Sequence, residues 1–219
     1  MIRVATFNAN GIRAAMRRGF GEWLVARGCD IVAVQELRCA RADLSAIDGY
    51  HVTYEPGVLP GRNGVAVLSR VAPLAVRTGL GRRAFSDEGR YVEVDLDVEG
   101  WRLTVGSLYV PKGGRTDDDN PRPYAHKVRF MRALRPFLVE TRRRAVARGR
   151  EYLVMGDINV AHTRLDLRNA TANGRQVGFL PGPRSRRRRL CLGGGIVDDA
   201  TPLVRAWSRD VKRGKVTRW

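Results

Sequence analysis

The stretch "YLVMGDINVAH", residues 152–162, decides how the rest of the chain is read. An apolar run from Tyr152 to Met155 drives into Gly156 and then Asp157-Ile158-Asn159. A short apolar run closed by a turn signal reads as a buried strand, here over 152–156. Asp157 and Asn159 are two residues apart, so an extended chain places both on one face at the strand's C-terminal end. His162 and Asp166 follow in the next loop, and His162 reads as a loop histidine. A plain loop would account for these residues, and so would an active site.

Three other places repeat the pattern. "TFNANGIR" at 6–13 ends an apolar run in Asn8 and Asn10, which would share a strand face, although Asn-Gly is also a common turn. "IVAVQE" at 31–36 runs a continuous apolar strand, of the kind buried on both faces, into Gln35 and Glu36. A glutamate there suits a metal, or simply the first turn of a helix. "GSLYVP" at 106–111 puts Tyr109 at a strand end, as a site residue or as a core aromatic with its hydroxyl at the rim.

Between these lie further strand-like runs at 2–7, 51–54, 64–69, 91–97 and 103–109. Residues 91–97 alternate with period two, which predicts a half-exposed antiparallel strand. Helical spacing appears at 19–27, with Phe20, Trp23, Leu24 and Ala26 on one side, and at 124–148, with Val128, Met131, Leu134 and Leu138. Pro121 and Pro123 offer a start for the longer helix and Gly149 a stop. Strands in meander order mixed with helices predict two packed sheets with helices outside.

The chain has 219 residues, 43% of them hydrophobic, enough for a substantial core and too apolar for a disordered protein. No apolar run approaches the ~20 residues of a membrane span. The start, Met1-Ile2-Arg3-Val4, carries no signal-peptide pattern. Cys29, Cys39 and Cys191 match no zinc spacing and read as reduced thiols of a cytoplasmic protein. The net charge of +18 favours a polyanion, most simply nucleic acid, although an Arg-rich surface habit would produce part of it. After "GFLP" at 178–181 the character shifts to Arg184-Ser185-Arg186-Arg187-Arg188-Arg189 and a glycine run, so residues 1–181 read as the domain and 182–219 as a basic Arg/Gly-rich tail. Two carboxylates, Glu36 and Asp157, with the amides of Asn8, Asn10 and Asn159, make an oxygen-rich set that suits Mg²⁺ and phosphodiester chemistry.

Quoted in order, "TFNANGIRA", "DIVAVQELR", "NGVAVLSR", "EGRYVEVDL", "LYVPKGG", "VMGDINVAHTRLDLRN" and "GFLP" resemble the exodeoxyribonuclease III branch of apurinic/apyrimidinic endonucleases, in the exonuclease–endonuclease–phosphatase superfamily. The resemblance implies a four-layer α/β sandwich, two mixed β-sheets face to face with helices outside. It implies a monomeric enzyme using Mg²⁺ or Mn²⁺ to cut double-stranded DNA at an abasic site or at a 3′ end. By motif position, Glu36 and Asn8 resemble the metal-side residues, Tyr109 the tyrosine near the scissile phosphate, Asp157 the aspartate that activates water, and Asn159 its phosphate-contacting partner. Asn10 and Arg90 resemble substrate contacts. Family members end with an Asp-His pair in a "SDH" motif, which has no counterpart here; this predicts impaired activity and the loss of the final strands of the second sheet. A catalytically inactive nucleic-acid-binding remnant and a superfamily phosphatase are the alternatives.

Overall fold

The computed structural model describes residues 1–44, 47–59, 61–113 and 122–160. It divides into two compact units, Met1–Tyr109 with Arg142–Asp157, and Val110–Thr141 with Ile158–Trp219. The tail boundary expected at residue 181, His162 and Cys191 lie outside the described residues, as does the region where final strands would fall.

All the described strands belong to the first unit. In chain order they are β1 (Val4–Asn8), β2 (Ile31–Gln35), β3 (His51–Glu55), β4 (Val65–Ser69), β5 (Ala75–Thr78), β6 (Tyr91–Val98), β7 (Trp101–Tyr109) and β8 (Glu151–Asp157). They form two four-stranded sheets, ordered β1-β2-β4-β3 and β5-β6-β7-β8. Both sheets are mixed: β1 lies parallel to β2 and β7 parallel to β8, while β2–β4, β3–β4, β5–β6 and β6–β7 are antiparallel.

Alternation decides what each face meets. Ala5, Val32, Val34, Ala66 and Leu68 cluster with Ile12, Ala15, Phe20 and Leu24 of the helices α1 (Ile12–Arg17) and α2 (Phe20–Arg27). Phe7 stacks on Phe20, with ring centroids 4.6 Å apart. The intervening Ile31, Ala33, Val65 and Val67 are fully buried on the opposite face, where β2 and β4 pack on β6 and β7. Each such side chain contributes about 1.5–3 kcal/mol on leaving water. One polar stitch crosses between the sheets: Gln35 Nε2 donates to Ser107 Oγ (3.1 Å), whose hydroxyl donates to the Val34 carbonyl (3.0 Å). The expected sandwich of mixed sheets with helices outside is therefore what the chain builds.

Several expectations need correction. The strand over 91–97 is not half-exposed: Glu93 and Asp95 are 3% and 5% exposed. Their carboxylates are buried because Arg77 of β5 ion-pairs with both, Thr104 donates to Asp95 (2.6 Å) and the Tyr91 hydroxyl to Glu93 (2.6 Å). Strand β5 has no expectation to match it; four residues of "AVRT" give too little alternation to read. On α2 only Phe20 and Leu24 are buried, and Ala26 faces solvent. The long helix α3 (Arg122–Ala147) buries Met131, Leu134 and Leu138 as expected, and also Phe130 and Lys127.

Candidate active site

Four strands of the first unit end at one place. Asn8 closes β1, Glu36 follows β2, and Tyr109 and Asp157 close β7 and β8, where they are register partners. Parallel pairing within each sheet makes this convergence unavoidable. It brings the C-terminal ends of β1 and β2 to one end of the first sheet, and those of β7 and β8 to one end of the second.

The Asn8 amide joins the two sheets. Its Nδ2 donates to Glu36 Oε1 (2.8 Å) and to Asp157 Oδ2 (2.9 Å), while its Oδ1 accepts from the Asn10 backbone N–H (3.0 Å). One neutral side chain thus spaces two carboxylates that would otherwise repel. Arg38 ion-pairs with Glu36 Oε2. Glu36 is only 3% exposed, so its charge depends on these partners. It also sits at φ +54°, a left-handed conformation that costs a non-glycine residue roughly 1–3 kcal/mol. Hydrogen bonds on both sides hold it there: Gly11 N–H to its carbonyl (2.7 Å) and Leu37 N–H to the Gly64 carbonyl (3.2 Å).

Tyr109 is buried beside this pair. Burial first, then the negative charge of Glu36 and a hydrogen bond to it, push the phenol pKa well above its ordinary value. The hydroxyl therefore stays protonated, as a donor. The Arg90 guanidinium lies 5.0 Å from the Tyr109 ring centroid and pairs with Glu88 (2.5 Å). The backbones are tied as well, the Tyr109 N–H donating to the Arg90 carbonyl (2.9 Å).

Gly156 explains why a glycine precedes the acid. Its φ is +153°, and a Cβ there would lie 1.8 Å from the Leu108 carbonyl oxygen. Only hydrogen in place of a side chain lets β8 approach β7 closely enough to seat Asp157 beside Tyr109.

The structure brings Asn8, Glu36, Tyr109, Asp157 and Arg90 together, as the resemblance implies. Two geometric expectations fail. Strand β1 ends at Asn8, so Asn10 is not on a shared strand face; it turns out at φ +45° and is exposed. Strand β8 likewise ends at Asp157, so Asn159 is not its neighbour on a face. In the second unit, Asn159 sits at φ +48°, its amide donates to the Val110 carbonyl (2.8 Å), and its own carbonyl accepts from Lys127 (2.6 Å). Sequence reasoning missed Arg38, whose only signal was a cation two residues after the acid. It also missed Lys127, a lysine 1% exposed that donates to the Lys112 carbonyl (2.9 Å) as well.

The donor chemistry fits a hard divalent cation: two carboxylates, a hydroxyl and an amide. Among the described residues no three His, Cys, Asp or Glu side chains gather to form an all-protein cage, which suits an ion that keeps most of its waters. Among the same residues, no helix is long and apolar enough to cross a membrane, and neither Cys29 nor Cys39 is disulfide-bonded.

Comparison with known proteins follows the same lines. An exodeoxyribonuclease of Bacillus subtilis is 30% identical over 200 residues, covering 90% of this chain and 73% of that protein. The DNA repair nuclease APEX1 of Danio rerio is 27% identical, over 92% of this chain and 63% of its own length. An AP endonuclease from Archaeoglobus fulgidus superposes with a TM-score of 0.71 at 28% identity, over 87% of this chain and 70% of that one. The model of the Endonuclease/Exonuclease/phosphatase family matches residues 5–209, and the chain belongs to that family.

Proposed function

We propose that this protein hydrolyses DNA phosphodiester bonds in repair, at abasic sites or at 3′ ends, with a divalent cation, Mg²⁺ or Mn²⁺. The observation that carries this is the Asn8 amide held between Glu36 and Asp157 beside the Tyr109 hydroxyl. Its relatives are an exodeoxyribonuclease and a DNA repair nuclease, which supports the same substrate.

The residues divide the work by chemistry. Glu36, with Asp157 and waters, would hold the cation. Bound there, it polarises the phosphoryl oxygens and stabilises the leaving oxygen. Asp157 accepts a hydrogen bond from the attacking water and orients it in line. Asn8 fixes the position of both acids, and the loss of about 1 Å of such placement costs on the order of 10²-fold in rate. Tyr109, kept neutral, donates to a phosphate oxygen. Arg90 and Asn10 stand at the rim as DNA contacts, and Asn159 contributes its amide to the phosphate. The net charge of +18 supplies salt-sensitive backbone affinity.

The test is incubation with a duplex containing one abasic site and Mg²⁺. Cleavage 5′ to the site, abolished by EDTA and reduced by roughly 10²–10⁴ in Asp157→Ala, is expected. Tight, salt-sensitive binding without cleavage would make the protein a non-catalytic binder. Release of phosphate from small esters with no action on DNA would make it a phosphatase.

A further inference from the structure

Residues 56–64 form a loop beside the site, and its tip is apolar in an unusual way. Val58 and Leu59 are 67% and 57% exposed, next to the exposed Arg62. Two neighbouring aliphatic side chains held out in water on a cationic loop serve no folding purpose.

The loop is mounted firmly on the residues that carry the site. On one side, the Leu37 and Arg38 N–H groups donate to the Gly64 and Asn63 carbonyls (3.2 and 3.0 Å), directly after Glu36. On the other, Gly64 N–H donates to the Gly89 carbonyl (3.1 Å), the Asn63 amide to the Glu88 carbonyl (3.0 Å) and Val58 N–H to the Asp87 carbonyl (2.8 Å). Gly57 and Gly89 touch backbone to backbone; a Cβ on Gly89 would lie 2.5 Å from the Gly57 nitrogen. The segment 87–89 continues into Arg90, which lies over Tyr109. The apolar tip is thus held in fixed register with Glu36 on one flank and Tyr109 on the other.

We propose that Val58 and Leu59 form a wedge that enters the DNA helix at the base step beside the lesion and fills the gap left by a missing base. This rests on the reading of the protein as a DNA hydrolase and adds how it selects its site. Aliphatic side chains inserted between base steps unstack and kink a duplex, and the cost is least where a base is already absent. Arg62, Arg38 and Arg90 around the tip match a phosphate backbone in charge. A two-residue apolar patch is far too small for a stable protein interface, which needs roughly 1,000 Å² or more. Selection then comes from hydrophobic filling, while the arginines hold any duplex alike.

The test uses the full chain in EDTA, so that no bond is cut. It compares binding to an intact duplex and to the same duplex carrying a tetrahydrofuran abasic analogue flanked by 2-aminopurine. The wild type is expected to prefer the abasic duplex and to raise 2-aminopurine fluorescence by unstacking it. The double variant Val58→Ser/Leu59→Ser is expected to lose that preference by roughly tenfold or more, and the fluorescence rise with it, with intact-duplex affinity unchanged. Arg62→Ala should weaken both duplexes equally. Retention of preference and fluorescence in the double variant, with unchanged circular dichroism, would overturn the wedge alone. Failure of the wild type to bind either duplex would overturn the DNA reading itself.

Discussion

Replacing Gly156 with alanine gives the sharpest test of how the fold seats its acid. The new methyl would start 1.8 Å from the Leu108 carbonyl oxygen and 2.7 Å from its carbon. No rotamer relieves this, because Cβ has none and the obstacle is backbone. At φ +153° an L-residue is also strained, by roughly 1–3 kcal/mol. Overpacking adds about 1–3 kcal/mol more, so a loss near 3–5 kcal/mol is expected. For a domain of this size that is a fall in Tm of roughly 6–15 °C. Relief requires β8 to move off β7 at the Leu108–Gly156 pair, next to the Tyr109–Asp157 pair. A shift of about 1 Å there should cut single-turnover cleavage by about 10²-fold even at temperatures where the variant is folded. Gly81→Ala is the control: it also sits at positive φ, +64°, but a Cβ there meets nothing within 4 Å. It should cost only the φ strain and keep full activity. If Gly156→Ala melted and cleaved like the wild type, the account of why glycine precedes Asp157 would be wrong.

Two further outcomes follow from the same geometry. Asn8→Ala removes the donor shared by Glu36 and Asp157; because Asn8 is exposed, the fold should survive while single-turnover cleavage drops by roughly 10²–10³. Arg77→Ala strands the buried Glu93 and Asp95, which should cost about 3–5 kcal/mol in urea unfolding. In the native protein burial alone would raise Asp95, but hydrogen bonds from Arg77 and Thr104 and the charge of Arg77 outweigh it and hold its pKa below the ordinary value. A depressed folded pKa gives stability that is present above the unfolded value, about 3.9, and is lost as pH falls through the folded one. Urea midpoints measured from pH 6 down to pH 3 should therefore fall less steeply in Asp95→Asn than in the wild type.

Much of this was legible in the chain alone. Continuous apolar runs such as Ile31–Gln35 are buried wherever they go, and each ends where the next residue cannot be buried unpaired. That is why Asn8, Glu36, Tyr109 and Asp157 could be picked out as strand ends, and why mixed sheets with outer helices could be expected. Pattern failed where a polar residue is buried by a partner rather than by its own character. The alternation of Tyr91–Val98 looked like a wet face, but Arg77, distant by 16 and 18 residues, made it a dry one.

The site itself required the tertiary structure. Asn8 and Asp157 are 149 positions apart, and nothing local to either predicts that one amide will serve two carboxylates from different sheets. The left-handed turn at Glu36 and the clamp on the 56–64 loop are likewise held by hydrogen bonds between segments remote in sequence. The sequence by itself determined which residues stand at the ends of strands, because burial and alternation are local properties. Only the packing of the two sheets decided that those ends meet, because a hydrogen bond of 2.8 or 2.9 Å exists only once both backbones are in place.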